Sequence, residues 1–195
     1  MSECTVTHVA TRSSILSTAE LRRPLVAAAA LREFASGGYS GTTIADVARE
    51  AGISPAYVFK LYARKESLFV AALETCYAQI IDALAQGADD APDQSPASVL
   101  DSMGGAYAAL IGDRTLLMLQ VHAQAATDIP EIADAVRAGL GMVTEFVARR
   151  SGGSDDEVQR FIAYGQLCHL IVTTRIDDVP DSWAEILTHN IRHPE

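Results

Sequence analysis

Residues 43–62 constrain the fold more than any other part of the chain. Within this segment Ile44 and Val47 repeat at the spacing of a helix that packs on a core, and Gly52 permits the left-handed backbone of a tight turn. Ser54 then begins a second helix as its N-cap. The pattern predicts a helix-turn-helix. A second helix with small residues at its free N-terminus can enter the major groove of DNA, which is about 12 Å wide.

The other convincing periodic segments of the chain are also helical, which predicts an all-α fold. The first helix is expected over about residues 23–36, with Pro24 in its first turn, and the fourth from about Lys65. Residues 86–98 read as a loop because they are rich in aspartate and proline. Further helices follow, the last over about residues 181–192.

Charge is distributed unevenly along the chain. The net charge of -10 at pH 7 argues at first against nucleic acid, because a DNA-binding surface needs lysine and arginine. Residues 1–75, however, hold eight Lys and Arg against seven Asp and Glu, whereas residues 76–195 hold seven against 18. We therefore predict a flexible tail over residues 1–18, a three-helix helix-turn-helix domain over residues 19–75 and a larger acidic helical domain over residues 76–195.

Other classes of protein find little support in the sequence. Cys4, Cys76 and Cys168 lie far apart without CxxC spacing, so we expect neither a disulfide framework nor a metal site. No apolar run reaches the roughly 20 residues that span a bilayer and no signal peptide is recognisable, which predicts a soluble, cytoplasmic protein. Catalytic motifs and phosphate loops are missing, so we expect no enzyme activity and no cofactor. A small helical enzyme is the weaker alternative.

The helix-turn-helix is flanked by residues that match a known family at its own spacing: Phe34, Gly38, Tyr39, Thr43, Ile44, Ala48, Ala51, Gly52, Tyr62, Lys65, Glu66 and Leu68. On these residues the chain resembles the TetR family of transcriptional regulators, over about residues 24–75. The resemblance implies a repressor that binds double-stranded operator DNA as a homodimer and is released by a small molecule. A helical protein-interaction module with weakened DNA binding is the alternative.

The resemblance also assigns DNA contacts to particular residues of the N-terminal domain. Phe59 and Leu61 depart from the family pattern, because polar side chains that bind phosphate are common at these two positions. Ala45 stands where the family often has an arginine. We therefore expect phosphate binding to depend more on Lys60, Lys65 and Arg64. The predicted contact residues are Thr42, Thr43, Ser54, Ala56, Tyr57, Lys60 and Lys65.

The acidic domain is expected to bind a largely apolar effector and a second copy of the chain. An ordinary core is the alternative for each pocket residue, and burial within one chain is the alternative for the dimer surface. The predicted pocket residues are Met103, Tyr107, Leu117, Met118, His122, Phe146 and Tyr164. The predicted dimer surface consists of Phe161, Gly165, Val172, Trp183 and Leu187.

Overall fold

The computed structural model describes residues 18–189 and residue 191, and these residues form helices and connecting segments without any strand. The predicted all-α fold is confirmed. The tail predicted over residues 1–18, including Cys4, lies outside the described residues except for Thr18. The α-helices are α1 (Thr18–Gly41), α2 (Ile44–Glu50), α3 (Pro55–Leu61), α4 (Lys65–Asp89), α5 (Pro96–Leu110), α6 (Thr115–Ala125), α7 (Pro130–Ser151), α8 (Asp155–Thr174) and α9 (Ser182–Thr188).

Helix α1 is longer than the sequence pattern predicts. It begins at Thr18 and ends at Gly41, so Pro24 lies inside the helix and the prediction that it occupies the first turn is wrong. Proline removes the backbone hydrogen bond that its N–H would donate. Here the loss falls near the start of the helix, where fewer than two turns precede Pro24. Packing of the later turns on the core keeps α1 continuous.

Gly38 kinks α1 near its C-terminal end. Its φ of 66° and ψ of -179° lie in a region that only glycine adopts without strain. A methyl group on Gly38 would lie 3.0 Å from Nδ1 of His122, so α6 packs directly against the kink. The chain therefore enters α2 in a direction that depends both on this glycine and on α6.

Side-chain caps fix the beginnings of the two helices of the helix-turn-helix. Thr43 Oγ1 accepts a hydrogen bond from the Asp46 N–H at 3.2 Å, while an Asp46 carboxylate oxygen accepts one from the Thr43 N–H at 2.9 Å. Ser54 Oγ accepts from the Tyr57 N–H at 3.2 Å. Gly52, with a φ of 65°, makes the left-handed turn between the helices. The predicted helix-turn-helix is present, because each of these local signals acts within a few residues.

Helix α4 lies at the centre of the molecule and packs against α1, α5 and α7. Phe69, Leu73 and Ile80 are among its buried residues. By length and composition α4 could cross a membrane, but its apolar side chains form part of the protein core. The close approach of α7 depends on Gly139, since a methyl group there would lie 2.0 Å from the ring of Tyr77.

The same helix corrects one expectation about chain organisation. It continues to Asp89, and α5 begins at Pro96, so the loop predicted over residues 86–98 is confined to residues 90–95. Helix α4 also runs through residues 75 and 76, so it joins the N-terminal helices to the helical body. The division into two domains at this position stays a prediction.

Candidate DNA interface and ligand cavity

Thr42 forms the corner between α1 and α2. Its side chain is 3% exposed, and its hydroxyl donates a hydrogen bond to the carbonyl of Glu33 at 3.0 Å. A methyl group on Gly37 would lie 2.6 Å from Thr42 Oγ1, so the hydroxyl occupies the space that the glycine leaves. This placement contradicts the prediction that the Thr42 hydroxyl binds a phosphate.

Thr43 is exposed at the start of α2, but its hydroxyl is already engaged. Thr43 Oγ1 donates to the Asp46 carboxylate at 2.6 Å. Hydrogen bonds from Thr43 lower the pKa of Asp46 to about 2, so this carboxylate is charged at neutral pH. A phosphate bound by the Thr43 hydroxyl would have to displace that carboxylate, and the arrangement does not favour the predicted contact.

The outward face of α3 presents Ser54, Ala56, Phe59 and Lys60 to solvent, and Tyr57 is half-buried beside them. Phe59 is 52% exposed, which is a large apolar surface for one side chain of a folded domain. Apolar side chains on a helix in the major groove contact the methyl group of thymine rather than a phosphate. The face is therefore suited to base edges, and its individual DNA contacts stay predictions.

Several cations near this face are paired with carboxylates. Arg49 Nη1 lies 2.9 Å from an Asp46 carboxylate oxygen. Arg64 Nη2 lies 2.9 Å from Glu131, which belongs to the first turn of α7. Lys60, in contrast, forms no ion pair with any described residue. It is the cation of α3 that is available to a phosphate.

Lys65, at the first position of α4, is held against an aromatic ring. Its Nζ lies 4.5 Å from the ring centroid of Tyr39, a distance suited to a cation–π interaction. Tyr39 in turn donates to Glu66 at 2.6 Å, and burial together with this hydrogen bond raises the pKa of Tyr39 to about 12. Burial lowers the pKa of Lys65. The ammonium is thus fixed in place, and its phosphate contact stays a prediction.

A cavity of about 360 Å³ lies between α4, α5, α7 and α8, and Gln120 of α6 also lines it. This volume is near the lower end of the range of about 300–1,000 Å³ that is usual for small-molecule pockets. Apolar side chains such as Ile80, Leu84 and Val143 form much of its wall. Of the predicted pocket residues, Tyr107 and Tyr164 line this cavity.

The other five predicted pocket residues lie elsewhere, and the structure corrects their placement. Met103 and Leu117 are fully buried in the core. Met118 and Phe146 pack against the main core cluster. His122 packs against the kink at Gly38. Core residues and cavity walls are both apolar at helical spacing, so the sequence pattern cannot distinguish them.

One end of the cavity is lined by Tyr107, Gln120 and the buried Cys168, and we call it the inner end. It borders a polar cluster of Tyr107, Gln120 and His169. Gln120 Nε2 donates to the Tyr107 hydroxyl oxygen at 3.3 Å, and that oxygen lies 2.6 Å from His169 Nε2. Burial raises the pKa of Tyr107 and lowers that of His169 to about 4. All three side chains are therefore uncharged at pH 7. The sequence signal for the cluster was weak, because its members come from three different helices.

The buried histidine gives the stability of the protein a pH dependence. The pKa of His169 is about 4 in the folded chain and about 6.5 in an unfolded one, so between these values the unfolded chain binds the additional proton. Stability from this group is present above pH 6.5 and is lost as the pH falls toward 4. We expect His169→Gln, which retains a nitrogen for Tyr107, to reduce the slope of unfolding free energy against pH by up to about 1.4 kcal/mol per unit.

Urea titrations at several pH values between 4 and 6.5 measure this slope. His189→Gln, at an exposed position, is the matched control and should leave the slope as it is in the parent chain. Equal slopes for His169→Gln and the parent chain would contradict the assignment.

Most residues of the predicted dimer surface are partly buried against the chain itself. Phe161 and Gly165 line the cavity. Val172 packs on the small cluster that contains Leu117, and Leu187 packs on the cluster that contains Ile171. Trp183 alone among the predicted set is exposed, at 50%. The other four residues are partly exposed as well as packed on the chain itself, so the predicted dimer contact stays a prediction.

The outer faces of α8 and α9 instead expose other large apolar side chains. Leu170 of α8 is 49% exposed, and Ile186 of α9 is 74% exposed. Trp183 lies one turn before Ile186 on the same side of α9. Helix α8 is apolar on more than one face, so periodicity alone did not identify which face points outward.

Comparisons with known proteins agree with this geometry. Residues 26–72 match the family described as bacterial regulatory proteins, tetR family. This range contains α2, α3 and the kinked part of α1. No curated protein sequence is significantly similar to the chain.

Solved structures share the fold along almost the whole chain. A transcriptional regulator from Pseudomonas aeruginosa PAO1 is 21% identical, with a TM-score of 0.63 and coverage of 90% of each chain. A TetR-family regulator from Mesorhizobium loti MAFF303099 is 20% identical, with a TM-score of 0.61 and coverage of 89% of this chain and 93% of that one. FadR from Bacillus subtilis, solved in complex with stearoyl-CoA, is 16% identical, with a TM-score of 0.65 and coverage of 86% and 98%.

Residues 26–72 therefore form a helix-turn-helix domain of the tetR family of bacterial regulatory proteins. The chain as a whole shares its fold with solved TetR-family transcriptional regulators.

Proposed function

We propose that this regulator is a cytoplasmic repressor that holds operator DNA as a homodimer and releases it when a small molecule fills the cavity. The exposed face of α3, with Phe59 and the unpaired Lys60, carries the DNA-binding part of the proposal. This face combines an apolar surface for base edges with a cation for phosphate. We place Ala56 and Tyr57 beside them as further contacts in the groove.

Helix α6 supports the coupling between ligand and DNA. Gln120 lines the cavity, and His122, two residues further along the same helix, packs against the kink at Gly38. A ligand that binds against Gln120 would shift α6 against the glycine that directs the chain into α2. Such a shift changes the distance between the two copies of α3 in a dimer and so favours the release of DNA.

The neighbouring structures support a small-molecule ligand. FadR from Bacillus subtilis is solved with stearoyl-CoA, and the multidrug binding protein EbrR, which is 23% identical to this chain with a TM-score of 0.60, is solved with imidazole. By analogy with these proteins, we infer that the cavity between α4, α5, α7 and α8 is a ligand site in this chain too.

A homodimer is proposed through the outer faces of α8 and α9. A single helix-turn-helix makes few contacts, and a two-fold dimer doubles them by binding two half-sites. Leu170, Trp183 and Ile186 give this surface exposed apolar side chains on adjacent helices. A two-fold axis would bring the same patch of each copy together.

Binding to random double-stranded DNA at several salt concentrations tests the DNA-binding part. We expect affinity to fall steeply as salt rises, because bound phosphates release counterions. Binding that does not depend on salt, or no binding, would contradict the proposal and favour a protein-interaction module.

Lys60→Gln should weaken binding to all sequences about equally. We expect the slope of log affinity against log salt to become shallower by about 0.9 for each Lys60 that contacts a phosphate. Arg49→Gln is the matched control, since Arg49 is paired with Asp46 and should change the slope less. Fluorescence anisotropy with labelled DNA measures both. If Lys60→Gln has the slope of the parent chain, Lys60 makes no phosphate contact.

A further inference from the structure

The orientation of the Gln120 amide is fixed by its neighbours. Gln120 is 5% exposed, and its Nε2 donates to the carbonyl of Leu116 at 3.2 Å and to the Tyr107 hydroxyl at 3.3 Å. A backbone carbonyl only accepts, so the nitrogen must face Leu116 and the amide cannot be reversed. Gln120 Oε1 then accepts no hydrogen bond from any described residue, although Gln120 lines the cavity. The inner end therefore presents an unused acceptor.

The Tyr107 hydroxyl supplies a donor at the same place. Neutral His169 carries one ring proton, and its Nδ1 is enclosed without a partner among the described residues. A proton on Nδ1 would bury an unpaired N–H, which is rarer than an unpaired acceptor. With the proton on Nε2, the Tyr107 oxygen accepts from both His169 and Gln120. The proton of the Tyr107 hydroxyl then has no acceptor among the described side chains, so it can be donated to a molecule in the cavity.

Among the described lining residues, charged groups lie only at the opposite end of the cavity. A methyl group on Gly104 would lie 3.8 Å from Phe161, and one on Gly165 would lie 3.8 Å from Tyr107. Both contacts advance together along the two helices, so α5 and α8 run in the same direction. The charged lining residues Asp101, Glu157 and Arg160 come earlier in these two helices than Tyr107 and Cys168 do. From Arg160 to Cys168 the cavity is about 12 Å long, at 1.5 Å of helix rise per residue.

We propose that the cavity takes an uncharged, mainly apolar molecule whose inner end carries a hydroxyl or primary amide, bonded to Gln120 Oε1 and the Tyr107 hydroxyl. Such a group donates to one partner and accepts from the other. A charged group is disfavoured at this end, because the same burial that keeps Tyr107, Cys168 and His169 neutral penalises a ligand charge. This inference rests on the cavity being the ligand site of the proposed function.

Three probes of one chain length test the ligand class on the full-length protein. They are 1-octanol, its isomer 1-methoxyheptane, which cannot donate a hydrogen bond, and octanoate, which is charged. Isothermal titration calorimetry gives their affinities. We expect 1-octanol to bind at least about 10-fold more tightly than the ether, because the ether leaves the Gln120 acceptor unpaired. Octanoate should bind more weakly than 1-octanol at pH 7.

Gln120→Met removes the acceptor and keeps a side chain of similar length. It should reduce the preference for 1-octanol over the ether to less than about 3-fold, mainly through weaker binding of the alcohol. Gln86→Met is the control, since exposed Gln86 donates to Asp90 and neither residue lines the cavity. It should retain the preference of the parent chain. Thermal unfolding followed by circular dichroism verifies that both variants fold.

Equal affinities for 1-octanol and 1-methoxyheptane would overturn the proposal, as would tightest binding of octanoate or no binding of any probe. DNA affinity measured on the same preparations separates this proposal from the proposed function. If 1-octanol binds with the expected preference and DNA affinity does not change, the ligand class stands and the release of DNA by ligand fails. If no probe binds while salt-dependent DNA binding persists, the ligand class fails and the DNA-binding function stands.

Discussion

Gly38→Ala is expected to lower the free energy of unfolding by about 2–4 kcal/mol, from about 1–3 kcal/mol of backbone strain and a further cost of displacing the His122 ring. Gly38 has a φ of 66° and a ψ of -179°, where an alanine is strained. Its methyl group would also lie 3.0 Å from His122 Nδ1. Urea unfolding followed by circular dichroism measures the loss.

Gly41→Ala is the matched control for this prediction. Gly41 is also near the end of α1, but its φ is not positive, and a methyl group on it would have no atom within 4 Å. Its substitution should change stability by less than about 0.5 kcal/mol. The double variant Gly38→Ala with His122→Ala separates the two costs, since removal of the ring should restore only the part due to contact. Equal stability of Gly38→Ala and Gly41→Ala would contradict the account of the kink.

The double variant Leu170→Glu with Ile186→Glu should be monomeric and should bind operator DNA at least about 100-fold more weakly. This loss is expected because linking two DNA-binding domains commonly raises affinity by about 10²–10⁴. In a two-fold dimer each glutamate would face the same surface of its copy, which buries like charges together. Light scattering should give the mass of one 20.8 kDa chain for the variant and twice that mass for the parent.

Met142→Glu is the control for the dimer variant. Met142 is 47% exposed on α7, similar to the 49% of Leu170, so it tests whether any exposed apolar side chain has the same effect. We expect it to remain dimeric with the DNA affinity of the parent chain. A Leu170→Glu with Ile186→Glu protein that stays dimeric would mean that the outer faces of α8 and α9 are not the interface.

The helix-turn-helix was predictable from the sequence because the signals that form it act within a few residues. The caps at Thr43 and Ser54 and the turn at Gly52 all form as the pattern indicates. The longer start of α1 was not predictable, because packing of the later turns on the core decides it and Pro24 signals the opposite. Thr42 was misassigned for a related reason, since its hydrogen bond partner, Glu33, lies nine residues away around a corner.

The body of the protein was predictable as helices but not as a site. Leu117 and Tyr107 look alike as members of an apolar stripe, yet Leu117 is core and Tyr107 lines the cavity. The distinction depends on how four helices approach one another, which no single helix pattern contains. Helix α8 was ambiguous in the same way, because apolar residues on its inner face, such as Phe161, resemble those on its outer face, such as Leu170.

Selection of bound sequences from a random double-stranded DNA library shows whether the protein reads DNA as a dimer. We expect an enriched inverted repeat whose half-sites are centred one helical turn apart or a multiple of it, because two copies of α3 related by a two-fold axis bind on one side of the duplex. Failure to enrich any sequence, or enrichment of a single half-site without its inverted partner, would contradict the claim that this chain is a dimeric, sequence-reading repressor.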